Sequence, residues 1–346
     1  TSKLIAKNTY KIALFFMLLA LISVWFANIN LGSVRIPIAK VFSILVGEHI
    51  PEESWTYIIT NYRLPKSICA LLVGAGLGIS GLLMQTLFRN PLAGPFVLGI
   101  SSGASLGVAL LVLGTGYLGG FLGLSSSSSW SIAIAASTGS FSVLIAVLIA
   151  IKKVRNTMSI LIIGLMFGSI SAAVINILSF LSSAEKLQQF VFWGLGSLGN
   201  VSWKELSVFA LLLSISSIAL VFIAKPLNSL LLGENYAKSM GVDLKKTRAI
   251  TLITTSIITG VITAFSGPIA FIGLAVPHLT KLIFNTSDHR LLLPAVAVNG
   301  AILMLVCDTI AQLPGSDSIL PINAVTSLFG APIVIWLLIR KQQVHL

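Results

Sequence analysis

An all-α membrane protein of about ten transmembrane helices, containing an inverted repeat, is the fold class this sequence predicts. Three observations predict it. Only 9% of the 346 residues are charged, whereas 56% are hydrophobic and the mean hydropathy is +0.99. Soluble domains carry about 25% charged residues, and so sparse a charge cannot cover a surface facing water. The chain also divides into apolar runs of spanning length, and its basic residues fall on alternating sides of those runs. No long polar linker separates the runs, so residues 1–346 are expected to form a single polytopic domain.

A helix needs about 20 apolar residues to cross the hydrocarbon. The runs that qualify are Lys11–Leu31, Ser67–Thr86, Phe96–Leu113, Ser131–Ile151 and Ser159–Leu181, then Glu205–Ala224, Ala249–Phe265, Ile269–Phe284, Leu291–Leu313 and Ala324–Ile339. The first follows Lys3, Lys7 and Lys11 like a signal peptide, but it is long enough to span and no small-residue cleavage site follows it. The third and eighth are short and open beside Gly and Pro, so they are expected to be broken helices. Such breaks are tolerated at membrane depth only when buried in protein or lining a cavity. Gly74, Gly78, Ser80 and Gly81 crowd the second run, a pattern that lets helix backbones approach closely. Low-complexity residues Gly119–Ser131, including Ser125 to Ser129, are expected to form an external linker.

With ten spans both termini face one side. That side holds sixteen of the 22 Lys and Arg residues; the other holds Arg35, Lys40, Arg63, Lys66, Lys186 and Lys204. Cytoplasmic loops carry the basic excess, so both termini are expected in the cytoplasm. The net charge of +12 is thus a topological signal and does not call for nucleic acid. The break at Asn90–Pro95 faces the cytoplasm and the break at Ser266–Pro268 faces outside. Matching breaks on opposite faces mark an inverted repeat, a recurrent transporter plan.

Enzyme chemistry is not in evidence. No Gly-x-x-x-x-Gly-Lys-Ser/Thr phosphate loop occurs. His49, His278, His289 and His345 form no spaced ligand pair, so neither a metal nor a cofactor is expected. Cys69 and Cys307 lie in apolar runs as packing residues. Asp308 is the one acid well inside a span. Intramembrane acids are costly and often functional, but one acid is not a proton relay, and it serves equally as a helix cap. The segment from Lys225 to Arg248 is charged, and a short amphipathic helix closed by Gly241 is its simplest reading. On pattern alone it is either an ordinary loop or a docking helix for a soluble partner.

From Arg63 onward the chain resembles the FecCD-type permeases of binding-protein-dependent ABC importers. The resemblance rests on Arg63-Leu64-Pro65-Lys66, Gly81–Gln85, Arg89-Asn90-Pro91-Leu92-Ala93-Gly94-Pro95 and Leu98–Ala104. Further along it rests on Gly267–Leu274, Val276-Pro277-His278, Asp288-His289-Arg290 and Gly330-Ala331-Pro332. It implies a type II importer permease of ten helices that pairs with a second permease copy, two ABC ATPase subunits below and an extracytoplasmic substrate-binding protein above. It implies a cytoplasmic gate at Asn90, Leu92, Thr157 and Met158. ATPase coupling is implied for the segment containing Gly233, Glu234, Ala237, Met240, Gly241, Val242 and Asp243, and binding-protein docking for Arg63 and Lys66. Two positions depart from the family pattern: Gln312 stands where a basic residue is usual, and Leu313–Pro321 replaces the usual loop.

The expected function is therefore a non-enzymatic permease in the cytoplasmic membrane carrying an iron chelate, a ferric siderophore or haem. Cobalamin is the alternative within the same architecture. An ATPase-independent channel or carrier, and a structural scaffold, are the alternatives from other classes.

Overall fold

The computed structural model describes residues 2–48, 50–114, 128–154, 157–316 and 318–343, and every regular element among them is helical. The chain opens with α1 (Ser2–Asn30), then the short helices α2 (Ile38–Val46) and α3 (Glu53–Ile58). A π turn, Ile59–Arg63, runs straight into α4 (Leu64–Leu87). After a 3-10 turn at Pro95–Leu98 come α5 (Ile100–Val112), α6 (Ser129–Lys153), α7 (Thr157–Phe180) and the unexpected α8 (Ala184–Gly194). The remainder is α9 (Trp203–Leu231), α10 (Glu234–Ser239), α11 (Leu244–Ser266), α12 (Ile272–Phe284), α13 (His289–Ala311) and α14 (Ile322–Gln343).

Seven of these helices are long and apolar enough to cross a membrane, and three shorter apolar helices are Ile100–Val112, Ile272–Phe284 and Ile322–Trp336. The ten expected spans therefore all appear as helices. The second differs most, since it is continuous from Glu53 to Leu87, 35 residues. At 1.5 Å per residue it is about 50 Å long, so its polar first turns project beyond the hydrocarbon. The low-complexity linker lies almost wholly outside the described residues, with α6 already begun at Ser129.

Local chemistry explains the helix starts. Ser202 and Glu205 close a reciprocal capping box on α9. Asp243 caps α11 through Lys246 N–H, and Asp288 caps α13 through Arg290 N–H, both at 3.0 Å. Each cap satisfies a backbone donor that the first turn leaves orphaned.

Helix α4 is the centre of the bundle. Within its most apolar window 78% of residues are buried, against 17% for α1 and α7, which are peripheral. It packs on α9, α11, α12 and α13. Two glycine contacts set these distances. A Cβ on Gly81 would overlap the Gly273 carbonyl of α12, and one on Gly74 would overlap the Gly300 carbonyl of α13. The backbones touch there, as small residues at membrane helix interfaces permit.

The two broken helices repeat one device. The break after α4 turns at Gly99 (φ 74°) and the break after α11 at Gly267 (φ 73°), positive φ values natural to glycine. The backbone at each break is satisfied by protein. At the first, Asn90 N–H reaches Gln85 O at 3.1 Å and Leu92 N–H reaches Asn90 Oδ1 at 2.9 Å. At the second, Ala270 N–H donates to Asn323 Oδ1 at 3.0 Å and Ser197 N–H to Ser266 O at 2.9 Å. These bonds replace what water would supply outside a membrane.

Gly81→Ala should lower the thermal midpoint in detergent sharply. Overpacking costs about 1–3 kcal/mol, and a backbone carbonyl cannot move aside as a side chain does. Gly194→Ala, where nothing lies within 4 Å, should leave the midpoint unchanged; equal loss in both variants would contradict the backbone-contact account.

Candidate functional site

Contacts between helix ends sort the candidate residues into two faces. On one face lie the 88–99 turn, α10 and the start of α13; on the other lie Arg63, Lys66, the end of α13 and α8.

The first face holds the expected gate and coupling residues. Asn90 and Leu92 occupy the turn after α4, closed by the Asn90 side chain, with Leu92 43% exposed. The turn is held from α12, where His278 Nε2–H donates to the Pro91 carbonyl at 2.9 Å. One helix turn back, Gln85 Nε2–H donates to Leu274 O at 3.2 Å. Met158 is 51% exposed in the first turn of α7. Thr157 opens that helix, but its side chain lies outside the described residues. Close packing of α7 on the Pro95–Leu98 turn comes through Gly164, which faces Val97 and Leu98.

The expected coupling residues form one compact motif. Gly233 (φ 112°) and Gly241 (φ 79°) bracket the six-residue α10. Val242 N–H returns to Ala237 O at 3.0 Å and Gly241 N–H to Lys238 O at 2.9 Å, the cap typical of a helix ended by a left-handed glycine. Ala237 is fully buried and fastens the motif, while Tyr236 and Met240 stand 53% and 57% exposed. Arg248 of α11 bonds to the Glu234 carboxylate and fixes the motif's near end.

Next to this motif is a polar cluster that sequence reasoning missed. Asn228, near the end of α9, donates from Nδ2 to Asp288 Oδ1 at 2.6 Å. Its Oδ1 accepts both the His289 backbone N–H, at 2.8 Å, and His289 Nδ1–H, at 2.7 Å. The far ring nitrogen, Nε2, lies 2.8 Å from Thr86 Oγ1 on α4. Burial raises the Asp288 carboxyl, but the Arg290 N–H, the Asn228 amide and the Arg290 charge together hold it below the usual carboxylate range. Asp288-His289-Arg290 stood out only as a family motif, and a lone Asn in an apolar helix was the one further signal for this cluster.

On the opposite face the expected docking pair makes its contacts within the chain. Arg63 is buried, 8% exposed. Its Nη1 donates to Ile29 O and Asn30 O, 2.9 Å each, and its Nη2 to Val34 O. It caps the carbonyl end of α1, where a cation meets the negative end of the helix dipole. The π turn shifts the register so that Ile59 and Arg63 become its buried members. Lys66 also turns inward, with Nζ 3.1 Å from Asp308 Oδ1. Asp308 Oδ2 accepts Asn28 Nδ2–H at 2.9 Å and Gln312 Nε2–H at 2.8 Å. The intramembrane acid is thus a fully partnered structural carboxylate linking α1, α4 and α13. Gln312, the departure from the family pattern, is one of its ligands. Both basic residues line one cavity of about 450 Å³, and Arg35 stands exposed with its guanidinium near Gly315. Among the described residues no cluster of His, Cys, Asp or Glu is placed to hold a metal.

The FecCD transport family model matches residues 18–340. The vitamin B12 import system permease protein BtuC of Salmonella arizonae is 35% identical over 321 residues, covering 90% of this chain and 93% of that protein. The same-named protein of Citrobacter koseri is 35% identical over 318 residues, again covering 90% and 93%. A solved structure described as an inward-facing conformation of a metal-chelate type ABC transporter superposes with a TM-score of 0.81 at 30% identity. It covers 96% of this chain and 99% of that one.

Lys66→Ala should destabilise the protein in detergent by up to about 3 kcal/mol, because it strands a buried carboxylate. Adding Asp308→Asn should recover most of the loss in a thermal-aggregation assay. A Lys66→Ala variant as stable as the parent would show that the pair holds nothing.

Proposed function

Because this chain belongs to the FecCD transport family, the permeases of ABC importers, we propose that it forms half of an ATP-driven import pathway for a large metal chelate. The observation that carries this reading is the chain of buried polar contacts that joins the end of α9, which leads into the exposed α10 motif, to the end of α4, which leads into the Asn90–Pro95 turn. The turn is the inner gate, with Asn90, Leu92, Thr157 and Met158 at its constriction. The Gly233–Asp243 motif is the seat of an ATPase subunit, its apolar Tyr236 and Met240 being offered to a groove on that partner.

The permease itself hydrolyses nothing; two separate ATPase subunits close on ATP and draw the α10 motifs with them. A second permease copy completes the pathway. The exposed apolar faces of α7, including Ile162, Met166 and Ile170, and of α14, including Leu328 and Ile335, support such a pairing. The chain lies in the cytoplasmic membrane with both termini inside, as the distribution of Lys and Arg supports. A binding protein docks on the outer face. Arg63 acts there as a clamp behind the surface, while Lys66, 18% exposed in the cavity lining, and the exposed Arg35 offer charge to the partner.

The cargo is a metal chelate. The names of the 35%-identical relatives favour cobalamin, while the iron chelates expected from the sequence remain the second reading. Partnered as it is, Asp308 supports transport powered by a partner over proton-coupled carriage.

Reconstituted with its ATPase and binding protein, the permease should accumulate one of cyanocobalamin, haem or a ferric siderophore in an ATP-dependent manner. Met240→Glu and Gly241→Trp should each abolish that uptake while the permease remains monodisperse. Uptake of none of the three would overturn the chelate reading; normal uptake by both variants would remove α10 from the coupling step.

A further inference from the structure

We propose that Asn228, His289 and Thr86 form a positioning relay that carries displacement of the α10 motif to the gate turn. The relay rests on the coupling and gate roles proposed above and says how the two communicate. Asn228 precedes Gly233 by five residues on α9, and Thr86 precedes Asn90 by four on α4. Between them stands one imidazole, fully enclosed at 1% exposure.

The bonding pattern fixes the roles of the atoms. Asn228 Nδ2 is spent on Asp288, so Oδ1 faces His289 and accepts twice, from the backbone N–H and from Nδ1–H. With the proton on Nδ1, Nε2 of the neutral ring accepts the Thr86 hydroxyl. Each ring nitrogen thus holds a different helix, α9 on one side and α4 on the other, while α13 carries the ring itself. The imidazole is rigid and planar, and no water replaces a partner at such burial. Movement of the α9 end must therefore either break buried hydrogen bonds or move the end of α4 with it. Leaving such groups unmade is the costlier course.

Other routes from α10 are less direct. Arg248 ties Glu234 to α11, but α11 ends its crossing on the far face. His278 holds the Pro91 carbonyl from α12, and that bond ties the gate turn to α12 rather than to α9. The Asn228 chain alone among these contacts joins the helix leading into α10 with the helix leading into the gate.

The test uses the complete complex in proteoliposomes with Leu92→Cys as a reporter, since Cys69 and Cys307 are buried. The rate of labelling by a membrane-impermeant maleimide is compared between nucleotide-free and ATP–vanadate states, so no cargo is required. Thr86→Val keeps shape and removes the hydroxyl; it is expected to abolish the difference between the states. Thr86→Ser restores the hydroxyl and should restore the difference. Asn228→Ala should abolish it too, and the double variant should lose no more than either alone, as for members of one chain. A merely structural role would lower yield and melting temperature in Thr86→Val yet keep the nucleotide-dependent difference, and that result overturns the relay. If the unaltered protein shows no difference at Leu92→Cys, the gate assignment fails and the relay falls with it. If Met240→Glu abolishes the difference and Thr86→Val does not, the gate and coupling roles stand and the relay alone fails.

Discussion

Backbone-to-backbone contact around α4 is the constraint on which the rest of the structure depends. Hydrocarbon offers no hydrophobic force between helices, so packing and internal hydrogen bonds must hold the bundle together. At Gly81–Gly273 and Gly74–Gly300 there is no room for a methyl group. Those contacts bring α12 and α13 close enough for His278 to reach Pro91 and for His289 to reach Thr86. The broken helices can then sit at membrane depth, because their open backbone finds protein donors and acceptors. The 88–99 turn and the Asn228–His289–Thr86 cluster thus both depend on the packed backbone of α4.

Charge inside this protein follows the same rule of internal satisfaction. Arg63 neutralises the carbonyl end of α1, and Lys66, Asn28 and Gln312 surround Asp308. An ionised group left alone in such surroundings would cost several kcal/mol; paired, it locks three helices at that end of the bundle. The opposite end combines the Arg248–Glu234 ion pair and the Asp288 carboxylate with an amide, an imidazole and a hydroxyl, each again met by a partner within the chain.

The spans were legible because hydrocarbon thickness imposes a length that composition reveals. The breaks were legible because Gly and Pro punctuate them, as at Asn90–Pro95 and Ser266–Pro268. The helix α8 and the extension of α4 back to Glu53 were not, since polar residues such as Asn61 and Glu185 interrupt the hydropathy that marks a span. The distribution of Lys and Arg set Arg63 and Lys66 on the side away from the termini, and the family motif implied docking, but a cation near a helix end has no direction until its partners are known. Asn28 and Thr86 carried no signal, and Asn228 only that of a lone amide in an apolar helix, because a polar residue acquires meaning from what the fold sets against it. The α10 segment was legible as a helix closed by Gly241, whereas its tie to α11 through Arg248 was not.

If the inner face works as one body, the coupling motif and the gate turn keep their spacing while the two permease copies move apart. The direct measurement is the spectroscopic distance between spin labels at Tyr236→Cys and Leu92→Cys within one chain, diluted in unlabelled chain and recorded in nucleotide-free and ATP–vanadate states. The account expects a narrow distribution unchanged between states, together with a shift in the Leu92-to-Leu92 distance between copies. A change in the distance within the chain, with no change between copies, would contradict it and place the gate's motion in the turn alone.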